Sequence, residues 1–350
     1  MDRKTVTFTA PRQVELREEP LPALGAEDVL VETICSAISA GTEKLIYDGR
    51  FPRGIETDSV IASLRGGFEY PLAYGYACVG VIREIGTEVD QSLRGKLVFA
   101  FQPHTTHCIV PRSAVMAVPE GISAETACFL PNMETAVNLV QDGAPILGER
   151  ALVLGQGVVG LLTASLLMEF PLEALVTADQ YELRRKACGE IGVQESFDPE
   201  LIHTKDQSKA TNSPANNQSH TQSAYAQNFD LTYELSGSPS ALNDALMLTR
   251  FSGRIVIGSW YGEKRAEIDL GGSFHRSRIK LISSQVSSIA PELSGRWDKA
   301  RRFGVAWEAL KRIQPQKWIT HRFPIEDAAK AYRLLDEHPQ EAIQVLFTYS

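Results

Sequence analysis

The sequence predicts an α/β fold in which a doubly wound parallel sheet follows a smaller, mainly β domain. Short apolar or alternating runs separated by Gly and Pro fill the first 130 residues, a pattern typical of compact β structure. After Pro131 the rhythm changes to strands alternating with helices, which indicates parallel βαβ units. Near the middle of the chain, an apolar strand runs directly into a glycine-rich turn and a helix.

The first domain is predicted to span residues 1–130 and to be completed by residues 315–350. Residues 5–8 alternate between polar and apolar side chains, as a half-buried strand does. The segment 323–347 has the pattern strand, helix, strand, and we expect it to return to the first domain. Further strands are expected at 29–34, 78–85, 97–101, 107–110 and 114–118.

The second domain is predicted to span residues 131–314 and to end in a helix from about 297 to 313. A polar stretch at 203–228 contains almost no large apolar side chains, so it cannot bury enough surface to offset the entropy of ordering it. We expect a mobile surface insertion there, with a partner-binding segment as the alternative. Strands are expected at 151–154, 174–177, 195–197, 231–234, 254–257 and 280–283.

A glycine motif ends the first of these strands. The run Gly155-Gln-Gly157-Val158-Val-Gly160 opens a helix, and Asp179 ends the next strand. This pattern is the Rossmann fingerprint of a dinucleotide site. Its first glycine permits a tight turn, its second lets the backbone approach a pyrophosphate, and its third lets the helix pack on the strand. The helix N-terminus favours the pyrophosphate charge. A plain tight turn is the alternative.

The acid at the end of the second strand bears on the choice of cofactor. Asp179 is expected to accept hydrogen bonds from ribose hydroxyls and to repel a 2′-phosphate, which favours NAD(H) over NADP(H). Arg184 and Arg185 follow it; they could serve a 2′-phosphate, or they could lie on the solvated face of an ordinary helix. Further cofactor contacts are expected at the carboxyl ends of later strands, at Ser236, Gly237, Gly258 and Ser259.

Composition limits the classes of partner. The 350 residues are 43% apolar and 22% charged, with a net charge of −8 and no run rich in Lys or Arg, which argues against nucleic-acid binding. The longest apolar stretch, 158–170, is too short to cross a bilayer, and residues 1–8 lack the core of a signal peptide. We therefore expect a cytoplasmic protein with no membrane contact. The five cysteines are scattered, which predicts reduced, buried thiols.

Four further motifs accompany this order of parts. They are Pro71-Leu-Ala-Tyr-Gly75-Tyr-Ala-Cys-Val-Gly80-Val-Ile-Arg-Glu-Ile-Gly86, Gly95-Lys-Leu-Val-Phe, Asp230-Leu-Thr-Tyr-Glu-Leu-Ser-Gly237 and Gly253-Arg-Ile-Val-Ile-Gly258. Together they resemble the medium-chain dehydrogenase/reductase superfamily over essentially the whole chain. The resemblance implies a GroES-like catalytic domain, catalysis in the cleft between the domains, and a homodimer. It also implies that Thr135 and Val159 lie beside the nicotinamide.

The resemblance fails at the metal positions. Zinc-dependent members carry a Cys where this chain has Ser39, and Gly-His-Glu where it has Gly75-Tyr76-Ala77. Their third ligand falls near Pro131, close to Glu134. Catalytic zinc needs three protein ligands, so we expect no metal. His104 and His107 lack a third donor nearby in sequence; a structural role is expected, with His104 as a substrate-side acid or base as the alternative.

Three segments are similar to the zinc-lacking branch that contains bacteriochlorophyllide hydroxyethyl dehydrogenase. They are Ser39-Ala-Gly-Thr-Glu43, Pro131-Asn-Met-Glu-Thr135-Ala, and Ser283-Ser-Gln-Val-Ser-Ser with Gly295-Arg-Trp-Asp-x-x-Arg-Arg. That branch implies oxidation of a secondary alcohol with NAD. Without zinc as Lewis acid, a side chain or a chain of water molecules must handle the hydroxyl proton. Alignment places Tyr76, Ser39 and Glu134 around the vacated position, with Glu43 behind.

Each of these candidates also has a purely structural interpretation. Tyr76 could fill the volume of the metal, Glu43 could cap or pair with the segment 44–47, and Glu134 could orient a helix. The segment 44–67 is rich in apolar side chains, which could line a roomy cleft or simply pack the β domain.

The sequence therefore predicts a zinc-independent NAD(H) oxidoreductase. It would act on the hydroxyl/carbonyl pair of a small-molecule substrate that could be large and apolar. An NADPH-dependent quinone or enoyl C=C reductase is one alternative. A non-catalytic dinucleotide-binding protein is another.

Overall fold

The computed structural model describes residues 2–52, 67–203 and 228–349, and the chain divides into two compact units. Unit 1 comprises Met1–Val137, Gly262–Lys264 and Ser287–Ser350. Unit 2 comprises Asn138–Tyr261 and Arg265–Val286. Residues 287–314 thus group with the β-rich unit, whereas the sequence placed them in the second domain. The insertion expected at 203–228 falls, apart from its two end residues, outside the described residues.

The described residues form the following strands and helices. The strands are β1 (Asp2–Ala10), β2 (Gln13–Pro20), β3 (Asp28–Ala37), β4 (Leu72–Ala73), β5 (Cys78–Ile85), β6 (Leu97–Ala100), β7 (His107–Pro111), β8 (Val115–Ala117), β9 (Arg150–Leu154), β10 (Ala174–Ala178), β11 (Glu195–Phe197), β12 (Phe229–Glu234), β13 (Thr249–Ile257), β14 (Lys280–Ser283), β15 (Ile319–Pro324) and β16 (Gln344–Thr348). The α-helices are α1 (Ala40–Tyr47), α2 (Ala124–Ala127), α3 (Leu130–Gly143), α4 (Val158–Leu167), α5 (Glu182–Glu190), α6 (Glu200–His203), α7 (Ala241–Leu248), α8 (Lys299–Ile313) and α9 (Ala328–Glu337).

Unit 1 is built on two sheets. A small sheet has the order β2-β1-β4, and a larger one has the order β15-β16-β3-β5-β6-β8, with β7 also paired to β3. The C-terminal strand β16 pairs antiparallel with β3, so the tail returns to this unit as predicted. Helix α9 buries Ala328, Ala331, Tyr332 and Leu335, a helical stripe that packs in the same core as Phe8 and Phe347.

Unit 2 contains one parallel sheet with the order β11-β10-β9-β12-β13-β14. Numbered from β9, this order is 3-2-1-4-5-6, the doubly wound arrangement whose direction reverses between β9 and β12. The six predicted strands are present, although β13 begins at Thr249, five residues earlier than expected. The predicted α/β fold class is confirmed.

Two composition-based expectations concern burial. The five cysteines are free and buried, which confirms the predicted thiols. Within the described ranges, no helix combines the length and the apolar character needed to cross a bilayer.

Candidate functional site

The three motif glycines of unit 2 hold the turn between β9 and α4. Gly155 has φ +91°, and a Cβ there would lie 2.6 Å from the carbonyl carbon of Leu235. A Cβ on Gly160 would lie 1.9 Å from the carbonyl oxygen of Gly155. By contrast, no atom lies within 4 Å of a Cβ built on Gly157, and no side chain caps α4, which begins at Val158. The turn therefore presents open space in front of a helix N-terminus, where the first N–H groups of a helix have no partner within the helix, as an anion site requires.

Asp179 lies beside this turn and is 5% exposed. Its Oδ2 accepts the N–H of Gln156 at 2.7 Å, and its Oδ1 accepts the N–H of Tyr181 at 2.8 Å. Because a carboxylate has about four acceptor positions, capacity remains for ribose hydroxyls. The predicted ribose contact is therefore compatible with this geometry.

The two arginines after Asp179 have different environments. Arg184 places Nη1 3.7 Å from Asp179 Oδ2, and its guanidinium lies 4.8 Å from the ring centre of Tyr181. Arg185 donates to the backbone carbonyl of Asp179 at 2.6 Å and to Asp198 at 3.1 Å. Both side chains are about one-fifth exposed. Arg184 is the one that faces the carboxylate expected to read the ribose.

The loops after β12 and β13 form a second part of the site in unit 2. Gly237 donates its N–H to Ser259 Oγ at 2.9 Å. A Cβ on Gly258 would lie 2.5 Å from Leu139, so only glycine fits there without displacing that side chain. Ser236 donates its N–H, at 2.9 Å, and its hydroxyl to Glu234 Oε1. These polar groups are engaged with one another, and sequence reasoning missed Glu234, although it lies within the motif 230–237.

In unit 1, Tyr76 and Ser39 form a hydroxyl pair. The Tyr76 hydroxyl donates to Ser39 Oγ and lies 3.4 Å from Thr42 Oγ1. Ser39 is the N-cap residue of α1, and its side chain makes no capping bond. Both residues are half-buried, so this pair offers a proton donor to a molecule outside the protein.

Glu43 and His104 lie fully buried behind this pair. Glu43 Oε1 accepts the N–H of Ser39 at 2.7 Å, which fixes the start of α1. Its Oε2 lies 3.0 Å from His104 Nε2 and accepts the hydroxyl of Tyr332. His104 Nδ1 lies 2.6 Å from Ser36 Oγ, so both ring nitrogens have partners within the protein. His104 has no exposed surface, and the bond from the N–H of Ser39 agrees with the capping interpretation of Glu43.

Glu134 is part of a buried ion-pair cluster. Its Oε1 lies 2.9 Å from Arg302 Nη2 and 2.5 Å from Lys299 Nζ, and Arg302 has no exposed surface. The carboxylate thus links α3 to α8 within unit 1, which explains why residues 287–314 group there. This placement is compatible with the structural interpretation of Glu134. Neighbouring Thr135 donates its hydroxyl to the carbonyl of Pro131 at 2.9 Å, a contact within α3.

The donor chemistry does not suit zinc. Among residues 2–52, 67–203 and 228–349, no group of three His, Cys, Asp or Glu side chains could hold a metal ion. At two of the expected ligand positions, Ser39 and Tyr76 bond to each other, and neither is one of the usual zinc ligands.

Apolar side chains at 45–51, together with Phe68, pack in the core of unit 1. Phe51 and Phe68 are 6% and 7% exposed and stack with ring centres 4.8 Å apart. For these residues the packing interpretation holds. Residues 53–66 of the same segment lie outside the described part of the chain.

A scan against protein-family models found no match. Among curated proteins, the chain is similar to the starvation-sensing protein RspB of Escherichia coli K12, with 22% identity over 99% of both chains. It is also similar to the L-threonine 3-dehydrogenase of Xanthomonas euvesicatoria pv. vesicatoria, with 21% identity over 94% of both chains.

Two solved structures share the fold. An E. coli CFT073 protein described as a short chain alcohol dehydrogenase (rspB), complexed with NADH, superposes with a TM-score of 0.73 at 19% identity, covering 99% of both chains. A putative zinc-binding dehydrogenase from Sinorhizobium meliloti 1021, bound to NADP, gives a TM-score of 0.72 at 16% identity and the same coverage. The chain therefore has the fold of these dehydrogenases.

Proposed function

We propose that the chain is a nicotinamide-dinucleotide-dependent oxidoreductase of the alcohol dehydrogenase type. It interconverts the hydroxyl and carbonyl forms of a small molecule, with NAD(H) as cofactor and without zinc. The observation that carries this proposal is the turn at Gly157, which is open to an anion and lies next to a buried carboxylate, Asp179. Support comes from relatives along nearly the whole chain that are named dehydrogenases.

Residues of unit 2 would hold the cofactor. The N–H groups at the start of α4 would face the pyrophosphate, and Asp179 would accept the hydroxyls of the adenosine ribose. Because the carboxylate repels a 2′-phosphate, NAD(H) is preferred. Arg184 lies 3.7 Å from that carboxylate and reduces the repulsion, so we expect preference for NAD(H) rather than complete exclusion of NADP(H).

The bound nicotinamide supplies or accepts the hydride. In the direction of reduction, the carbonyl oxygen must gain a proton as the carbon gains the hydride, and in oxidation the hydroxyl must lose it. Tyr76 and Ser39 are the candidate groups for this proton, since they are half-buried and hydrogen-bonded to each other. Glu43 acts as a positioning residue, because it holds the backbone N–H of Ser39 and draws His104 and Tyr332 behind it.

A role for zinc finds no support in these side chains, and we assign none. The S. meliloti protein with the same fold is described as a putative zinc-binding dehydrogenase, so the fold alone does not decide the question. The side chains at the expected ligand positions favour a site without zinc. The hydroxyls of Tyr76 and Ser39 bond to each other, and Glu134 is already paired with two cations.

Fluorescence titration with NADH and NADPH, together with zinc analysis of the purified protein, tests the cofactor proposal. We expect a lower Kd for NADH and substoichiometric zinc. A preference for NADPH would favour the C=C reductase alternative, and one zinc per chain would overturn the metal-free site. Binding of NADH without turnover on any ketone or aldehyde of a broad panel would favour the non-catalytic alternative.

Tyr76→Phe tests the proton-transfer role on a carbonyl compound that the wild type reduces. Loss of a positioned acid lowers kcat by about 10²–10⁴-fold, while the Kd for NADH stays unchanged. Tyr70→Phe is the matched control, because the Tyr70 hydroxyl bonds to the carbonyl of Ile46 instead. Unchanged turnover in Tyr76→Phe would remove Tyr76 from the mechanism.

A further inference from the structure

Glu234 is a fully buried carboxylate at the carboxyl end of β12. Each of its described hydrogen-bond donors is a neutral group. Oε1 accepts the N–H and the hydroxyl of Ser236, and Oε2 accepts the hydroxyl of Tyr261. Taking a carboxylate out of water costs free energy unless such donors compensate. We therefore expect Glu234 to have a role at this position that an apolar side chain could not perform.

The contacts of Glu234 join two loops. Ser236 belongs to the loop after β12, and Tyr261 belongs to the loop after β13. A second bond between the same loops runs from the N–H of Gly237 to Ser259 Oγ at 2.9 Å. Burial and the charge of Glu234 raise the pKa of Tyr261 well above its ordinary value, so this phenol remains a donor to the carboxylate.

These loops lie next to the glycine turn. A Cβ on Gly155 would lie 2.6 Å from the Cα of Ser236, so the chain after β12 packs directly against the turn expected to hold the pyrophosphate. Asp179 follows β10, on the other side of β9. A dinucleotide binds across the point where the strand order reverses. With its adenosine half at Asp179, its nicotinamide half falls on the side of β12 and β13.

We infer that Glu234 is a positioning residue for the nicotinamide half of the cofactor, a role that rests on the proposed function. The buried carboxylate fixes the loops at 235–237 and 258–261 relative to each other, and those loops form the surface on which that half lies. Removing the charge of Glu234 weakens binding of the nicotinamide half of the cofactor, while binding of the adenosine half at Asp179 is unchanged.

The test compares two ligands on the same variants. NADH engages both halves of the site, whereas 5′-AMP engages only the adenosine half. Glu234→Gln is expected to raise the Kd for NADH about tenfold and to leave the Kd for 5′-AMP within about twofold. Tyr261→Phe removes one hydrogen-bond donor to Glu234 and keeps the carboxylate. We expect it to raise the Kd for NADH by a smaller factor, again without changing the Kd for 5′-AMP. This variant keeps the inference testable if Glu234→Gln does not fold.

Asp230→Asn is the matched control, since Asp230 lies on the same strand and accepts the N–H of Arg150 at 2.9 Å at the opposite end. It should alter neither Kd. Parallel losses of NADH and 5′-AMP affinity in the Glu234 and Tyr261 variants would show a general structural effect and overturn the inference. Unchanged NADH affinity in both variants would also overturn it. A wild-type protein that binds neither ligand would refute the proposed function, and the inference with it.

Discussion

Replacing Gly157 by alanine separates cofactor binding from folding. The residue has φ −67° and ψ −174°, a conformation open to alanine, and a Cβ there meets no atom within 4 Å. Gly→Ala at such a position stabilises a protein by about 0.4–1 kcal/mol, because it lowers the conformational entropy of the unfolded chain. The loss of glycine, which is preferred to alanine as an N-cap residue, costs up to about 1 kcal/mol. The free energy of unfolding should therefore change by less than about 1 kcal/mol.

The same methyl group projects into the space in front of the α4 N-terminus. A pyrophosphate displaced from the N–H groups there loses at least one charge-assisted hydrogen bond, worth about 1.5–3 kcal/mol. The Kd for NADH should therefore rise by roughly ten- to a hundredfold. Nicotinamide fluorescence measures this, and urea unfolding measures stability on the same preparation.

Gly160→Ala provides the contrast. Its Cβ would lie 1.9 Å from the carbonyl oxygen of Gly155, so the backbone must shift, and overpacking of this kind costs about 1–3 kcal/mol. This variant should lose stability as well as affinity. Wild-type affinity for NADH in Gly157→Ala would refute the assignment of the pyrophosphate to this turn.

Three further variants test other parts of the structure. Arg302→Met should lower the free energy of unfolding by about 3 kcal/mol, as measured by urea unfolding. This value is at the lower end of the cost of breaking a buried ion pair, because Lys299 still neutralises Glu134. The double variant Arg302→Met with Glu134→Gln should recover part of this loss. Asp179→Asn should shift the ratio of the NADH and NADPH Kd values about tenfold towards NADPH, or about 1.4 kcal/mol, and an unchanged ratio would remove Asp179 from cofactor discrimination. Burial raises the pKa of Cys188 to about 11, above the value of about 8.5 for a thiol in the unfolded chain. The protonated thiol therefore stabilises the fold fully below about pH 8.5, and this stabilisation is lost as the pH rises to about 11. The difference in the free energy of unfolding between wild type and Cys188→Ala should shrink over this range.

Much of unit 2 was predictable because its signals are local. The strand before Gly155, the spacing of the three glycines and the acid ending β10 are adjacent in sequence, and each has a steric or electrostatic reason visible in the residue itself. Strand β2 and helix α1 were not predicted. Strand β2 does carry a local signal, because polar and apolar residues alternate from Gln13 to Arg17, but this signal was overlooked.

The support of the hydroxyl pair was not predictable because it is assembled from distant segments. Tyr332 reaches Glu43 only because α9 packs in the core of unit 1. Tyr349 reaches Ser36 only because β16 pairs with β3. Neither residue has a local signal for this role. Likewise, the sequence drew attention to the segments containing Glu134 and Arg302, but nothing in either segment indicates that the two side chains form an ion pair.

The pairing of β16 with β3 has a consequence for synthesis. β16 leaves the ribosome after every residue of unit 2, so residues 35–37 of β3 lack this partner while all six strands of the parallel sheet have already been synthesised. Domains commonly fold in the order of their translation. Here the β-rich unit, although its first strands are synthesised first, is completed last. Strand β7 already pairs with residues 28–32 of β3, whereas residues 35–37 stay unpaired on that edge until β16 is added.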